Sequence, residues 1–147
     1  MMTADDLTAL DRQIQGNEAW RPYLYDDATG KRITKGSTVI GHPTIGWGFN
    51  LDALDLPQEI GDAWFEHQRM RVVNELFNAL PWTQQLGAGP LRVVIDIAYN
   101  AGVSGLIGFH RMLDALQRGD LVSAQREVIN SHLAPARAQR LAAVMRS

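Results

Sequence analysis

The apolar positions change their period twice along the chain. Leu7, Leu10 and Ile14 recur at helical spacing. Thr3 stands where a helix N-cap belongs, with Asp6 three residues on as its capping-box partner. Gly16-Asn17 predicts the stop, because both residues tolerate the left-handed conformation at a helix C-terminus. Glu18 then falls at, or just beyond, that helix end. From 20 to 50 the pattern turns strand-like. Tyr23, Tyr25, Ile33, Val39, Ile40, Ile45, Trp47 and Phe49 favour strands, and Gly30, Gly36, Gly41, Gly46 and Gly48 punctuate them. Two or three short antiparallel strands are predicted, with 31–43 as a polar extension of one loop.

Beyond residue 50 helical periodicity returns. Pro57 suits a first helical position. Ile60, Ala63, Trp64, Val73, Leu76, Phe77 and Leu80 follow, and Pro81 ends the run. Pro90 opens the segment 91–101, apolar nearly all round, which predicts a central buried helix closed by Gly102. Ser104 caps an element over 105–118 that Gly119 stops. Asp120 caps another, with Leu121, Ala124 and Val128 facing inward. Pro135 starts a last short helix whose Leu141, Val144 and Met145 pack on the core. The fold class predicted is α+β, mainly α. One domain over 1–147 holds a small N-terminal antiparallel sheet region at 18–50 and a helical lobe at 57–147.

Composition narrows the class. A chain of 147 residues with 46% apolar and 20% charged side chains can bury a core and is not a disordered one. There are no cysteines, which excludes a disulfide framework and thiolate metal ligation. The opening Met-Met-Thr-Ala-Asp-Asp lacks the basic and apolar regions of a signal peptide. No apolar run reaches the length of a membrane span. Cytoplasmic synthesis, no stable membrane insertion and a monomer are therefore expected. A net charge of −2 argues against nucleic acid as the partner. Arg111, Arg118, Arg126, Arg137, Arg140 and Arg146 make the C-terminal part mildly basic. They read first as solvated helix faces and second as an aid in holding a polyanion such as a bacterial cell wall.

The candidate chemistry lies in the strand-rich region. Taken singly, Glu18 reads as a solvent-facing glutamate at a helix end. As a general acid it would need burial against apolar groups, which Trp20, Tyr23 and Tyr25 are near enough to supply. Asp27, in Asp-Asp-Ala-Thr-Gly, is also good turn chemistry. Alternation along a strand turns Asp26 and Asp27 to opposite faces, so one of the two faces a cleft. Thr44 could hold a water or touch a substrate, and Gly46 and Gly48 would let a substrate approach the backbone. Zinc is not expected, because His42, His67, His110 and His132 lack metal-ligand spacing. No nucleophile elbow or phosphate-binding loop is present, and no cofactor is expected.

The combination is more specific than its parts. Glu18, Arg21, Tyr25, Asp27 and Gly30, followed by Thr44, Gly46 and Gly48, resemble the pattern of the phage-type (T4-lysozyme-like) lysozyme family of muramidases. A second block, Asp96-Ile-Ala-Tyr-Asn-Ala-Gly102 and then 103–109, is similar to that family's central helix and following turn. The segment 135–140 resembles its Arg-x-x-Arg stretch. The resemblance implies a lysozyme-like fold and a glycoside hydrolase cleaving the β-1,4 bond between N-acetylmuramic acid and N-acetylglucosamine. It selects Asp27 over Asp26. Glu18 would be the general acid, with Asp27 and Thr44 orienting water on the opposite sugar face. Asn100, Tyr25, Gly46 and Phe109 would meet substrate. Arg21 would tie Glu18 in place by charge, and Arg137 would approach the Glu18 region. The partner implied is bacterial peptidoglycan. The biology implied is a phage endolysin held in the host cytoplasm and released to the wall through a holin pore. A lytic transglycosylase using Glu18 alone and a non-catalytic wall-binding module are the alternatives. The chain departs from the family in its longer 31–43 loop, in Phe49-Asn50 where relatives carry histidine, and in its acidic balance.

Overall fold

The computed structural model describes residues 2–146. The protein is α+β and mainly helical, with six α-helices and one three-stranded antiparallel sheet among the described residues. The chain divides into two compact units, the first ending at Pro57 and the second starting at Gln58.

The first unit opens with α1 (Ala4–Asn17). Thr3 caps it as predicted, its hydroxyl accepting from the Asp6 N–H while the Asp6 carboxylate accepts from the Thr3 N–H. The stop differs from expectation. Neither Gly16 nor Asn17 is left-handed; the helix ends because Glu18 turns extended, at φ −102° and ψ 108°, its N–H still donating to the Ile14 carbonyl. Leu7, Leu10 and Ile14 all lie on an exposed helix.

The sheet follows, in the order β1 (Arg21–Asp26), β2 (Pro43–Gly46), β3 (Phe49–Asn50). Tyr25 pairs with Thr44 and Asp26 with Pro43, while Thr44 also pairs with Asn50. The register of β1 shifts between Arg21 and Tyr25. Part of the predicted loop returns along β1: Lys31 and Leu24 carbonyls accept from Asp26 and Ile33 N–H groups. Gly30, at φ +67°, makes the turn that allows this return.

The second unit packs α2 (Gln58–Ala79), a short 3-10 turn at Pro81–Gln85, α3 (Ala88–Ile107), α4 (His110–Gln117), α5 (Leu121–Ile129) and α6 (Pro135–Val144). Its core joins Leu76, Val93, Val94, Ile97, Leu106, Met112, Val128 and Met145, each at most 1% exposed. Three expectations need correction. Ile60 and Trp64 are exposed, since α2 buries only Val72 and Leu76 near its C-terminal end. The α3 helix buries one face, and its Asp96, Tyr99 and Asn100 lie outside. The element predicted over 105–118 is broken at 108–109, and its first residues belong to α3 beyond a kink at Gly102, where φ is 74°. Asp120 and Pro135 begin α5 and α6 as predicted, although Leu121 is exposed. No single helix among the described residues is long and apolar enough to cross a membrane.

Ile97→Ala removes a fully buried side chain and leaves a cavity among α2, α3 and their neighbours. A loss of about 2–5 kcal/mol is expected in denaturant unfolding of the full chain.

Candidate active site

The candidate site is built on the strand β2 and the loops at its two ends. Adjacent aspartates at the end of β1 have separate tasks, as alternation along a strand requires. Asp26 is buried. Its Oδ1 accepts from the Ala28 N–H at 3.0 Å and the Gly41 N–H at 3.0 Å, and its Oδ2 from the Ile40 N–H at 2.8 Å. One carboxylate thus closes the loop between Asp27 and His42 onto the sheet. The Ile40 N–H is the main reason that the Asp26 carboxyl lies below its ordinary value, with burial opposing it and the Gly41 and Ala28 N–H groups adding to it.

Asp27 points the other way, and its side chain is 40% exposed. Its Oδ1 accepts from the His42 N–H at 2.7 Å, and its Oδ2 lies 3.1 Å from the His42 ring Nδ1. Its own N–H donates to the His42 carbonyl. The Asp27 carboxyl is also held below its ordinary value. The His42 N–H is the leading cause, opposed by partial burial and by Asp26, and aided by the His42 ring. Gly41 makes this approach possible. A Cβ there would collide with Asp27 Oδ1 and with Ala28. This glycine has an ordinary φ and is required by space alone.

Thr44, beside this pair, does not present a free hydroxyl at the surface. It is buried, and its O–H donates to the His42 carbonyl at 3.1 Å. The same carbonyl accepts from the Asp27 N–H, so Thr44 braces the segment that carries Asp27's partner.

At the far end of β2 stands Glu18. It is exposed, so the aromatic burial expected around it is not formed. Trp20 stacks instead on Trp47, Tyr25 lies under Arg21, and Tyr23 lies under Arg32. The Glu18 side chain runs over the turn between β2 and β3. A Cβ on Gly48 would meet its Oε2 at 2.5 Å, and Gly48 is left-handed at φ +75°. Any side chain at 48 would be strained and would displace the carboxylate.

Arg21 does not pair with Glu18. Its guanidinium donates to the Gly30 carbonyl at 3.1 Å and sits 4.2 Å over the Tyr25 ring. It therefore secures the turn following the two aspartates. Tyr25 is buried beneath it, which replaces the substrate contact expected of its ring. Gly46 is left-handed at φ +67°, and the Phe49 ring and Trp20 occupy the space a side chain would need. It too serves packing.

In the helical unit, Asn100 and Arg137 both engage Asp96. Asn100 donates to its carbonyl at 3.2 Å, and Arg137 bonds both the carbonyl and the carboxylate. With Arg140, Leu141 and Val144 they line a recess of about 260 Å³. Arg137 is thus tied to the central helix α3 through Asp96. Phe109 is 7% exposed, packs on His132 at 5.0 Å between ring centres and belongs to the core of this unit. Among the described residues no three of His, Asp and Glu converge as metal ligands.

The residue that sequence reasoning missed is His42. Its distance from Asp27 in the chain hides the pairing. The usable signal was the loop closure itself, because a return to Thr44 beside Tyr25 must bring 41–42 against 26–27. Compared with known proteins, the chain matches no family model and no curated relative.

Asp26→Asn should release the loop. A neutral amide offers one acceptor oxygen in place of two, so faster amide hydrogen exchange is expected at Ile40 and Gly41. In the wild-type protein the clamp is fully present above the ordinary carboxyl value of 3.8 and is lost as pH falls through the lower folded value. Protection of these two amides should therefore persist at pH 4 and disappear only in stronger acid, in about that order.

Proposed function

We propose that this protein is a lysozyme-type glycoside hydrolase that cleaves the β-1,4 bond between N-acetylmuramic acid and N-acetylglucosamine in peptidoglycan. The observation that carries the reading is the placement of two exposed carboxylates at opposite ends of one short strand. Each rests against a glycine that leaves room for it, Glu18 at Gly48 and Asp27 at Gly41. Sequence resemblance to the phage-type lysozymes supplies the substrate class.

The chemistry requires one carboxyl to protonate the leaving oxygen and another to activate water on the opposite sugar face. Glu18 is the acid. Asp27 is the water-orienting base, since its oxygens are fixed and its outer face is open to solvent. Thr44 acts beneath it by bracing the His42 carbonyl. With a water held between the two carboxylates the reaction inverts, the outcome that the family resemblance implies. In the same reading the protein works as a monomeric phage endolysin, made in the host cytoplasm and released to the wall through a holin pore.

Glu18→Gln should lower the release of reducing ends from purified peptidoglycan by about 10²–10⁴-fold while circular dichroism stays unchanged. Normal release by the folded variant would overturn the proposal. Products ending in 1,6-anhydro sugars would reassign the protein as a lytic transglycosylase. Binding without fragments would make it a wall-binding module.

A further inference from the structure

His42 has no part in the chemistry derived from the sequence, yet it makes three of the contacts that define Asp27. Its backbone N–H donates to Oδ1, its ring Nδ1 meets Oδ2, and its carbonyl accepts the Asp27 N–H. An ionised carboxylate only accepts hydrogen bonds. Nδ1 must therefore carry the proton, and in the neutral ring Nε2 is left as the lone-pair nitrogen. The ring is 55% exposed, so it is not held there by burial. Its orientation follows from Asp27, from the missing side chain at Gly41, and from the Thr44 hydroxyl on the His42 carbonyl.

We propose that His42 is a positioning residue for Asp27, its ring and its own backbone N–H gripping the two carboxylate oxygens so that the carboxylate keeps one orientation toward water. This rests on the assignment of Asp27 as the water-orienting base. Without the ring, Oδ2 loses its partner and the carboxylate is free to turn about its last side-chain torsion. Near-attack geometry is sensitive to displacements of this size.

The grip has a pH signature. The charged groups facing Asp27 are His42, across the loop closure, and Asp26, its neighbour in the chain. His42 favours the ionised form of Asp27 and Asp26 opposes it. Removing the ring leaves the backbone N–H in place, so the Asp27 carboxyl moves part of the way back up. The acid limb of the activity profile then shifts to higher pH.

His42→Ala deletes only the ring and keeps the backbone donor, so the variant is expected to fold. Its kcat on purified peptidoglycan should fall on the order of 10- to 100-fold, with KM little changed and the acid limb of kcat/KM moved to higher pH. His42→Asn, which restores a neutral donor, should recover part of the rate but not the wild-type acid limb. In an Asp27→Asn background His42→Ala should cost nothing further. The carboxyl carbon of Asp27, followed by NMR titration in wild type and His42→Ala, reads the same coupling without any turnover. An unchanged Asp27 titration, or a full additional loss in the Asp27→Asn background, overturns the proposal. A shifted titration in a protein whose wild type releases no peptidoglycan fragments would retain the His42–Asp27 coupling and overturn the glycosidase reading instead.

Discussion

The candidate site depends on one buried carboxylate that has no chemistry of its own. Asp26 accepts three backbone N–H groups from Ala28, Ile40 and Gly41, and so draws the far end of a long loop onto the end of β1. A buried carboxylate is tolerable only when its oxygens are satisfied, and here the loop backbone satisfies them. The same bonds bring His42 to Asp27. They also deliver the chain to Pro43 in register for β2, with Thr44 opposite Tyr25. Without that closure, the residues 27–42 would be a polar loop with no reason to adopt a single path.

The site's two exposed carboxylates are positioned by absences as much as by contacts. Gly41 and Gly48 leave space into which Asp27 and Glu18 fold back on the chain. The requirements differ. Gly48 is left-handed, a conformation that favours glycine on backbone grounds, whereas Gly41 has an ordinary φ and is required only because Asp27 occupies its side-chain volume. Around them, Arg21 on Tyr25 and Trp20 on Trp47 stiffen the sheet. The motif arginine, tyrosine and glycine therefore support the scaffold on which the carboxylates sit, and their place near acidic residues in the sequence reflects packing.

The helical unit follows another logic. Its stability comes from a contiguous apolar core across α2 to α6, and polar contacts cross between its helices. One of them ties Arg137 and Asn100 to Asp96 on the exposed face of α3. Gly102 and the break before His110 bend the chain, so that α4 packs beside α5 instead of extending α3.

Local signals determined three of the helix starts. Thr3, Asp120 and Pro135 act through groups one to three residues away, and such short-range preferences are the same in any fold. The mainly helical class, the small antiparallel sheet and the opposite facing of Asp26 and Asp27 were likewise legible, because period and alternation are local properties; which of the two faces outward came from the family resemblance. Burial was not. Ile60, Trp64 and the apolar stripe of α1 have the right spacing for a core but are exposed, while Phe109 and Tyr25, read as site residues, are buried. Spacing shows which residues share a face and not what lies opposite that face. The partners of Arg21, Arg137 and Asp27 were decided by tertiary structure for the same reason. Each finds a backbone carbonyl, an amide or a ring brought close by chain return, and His42 reaches Asp27 only because Asp26 has closed the loop between them.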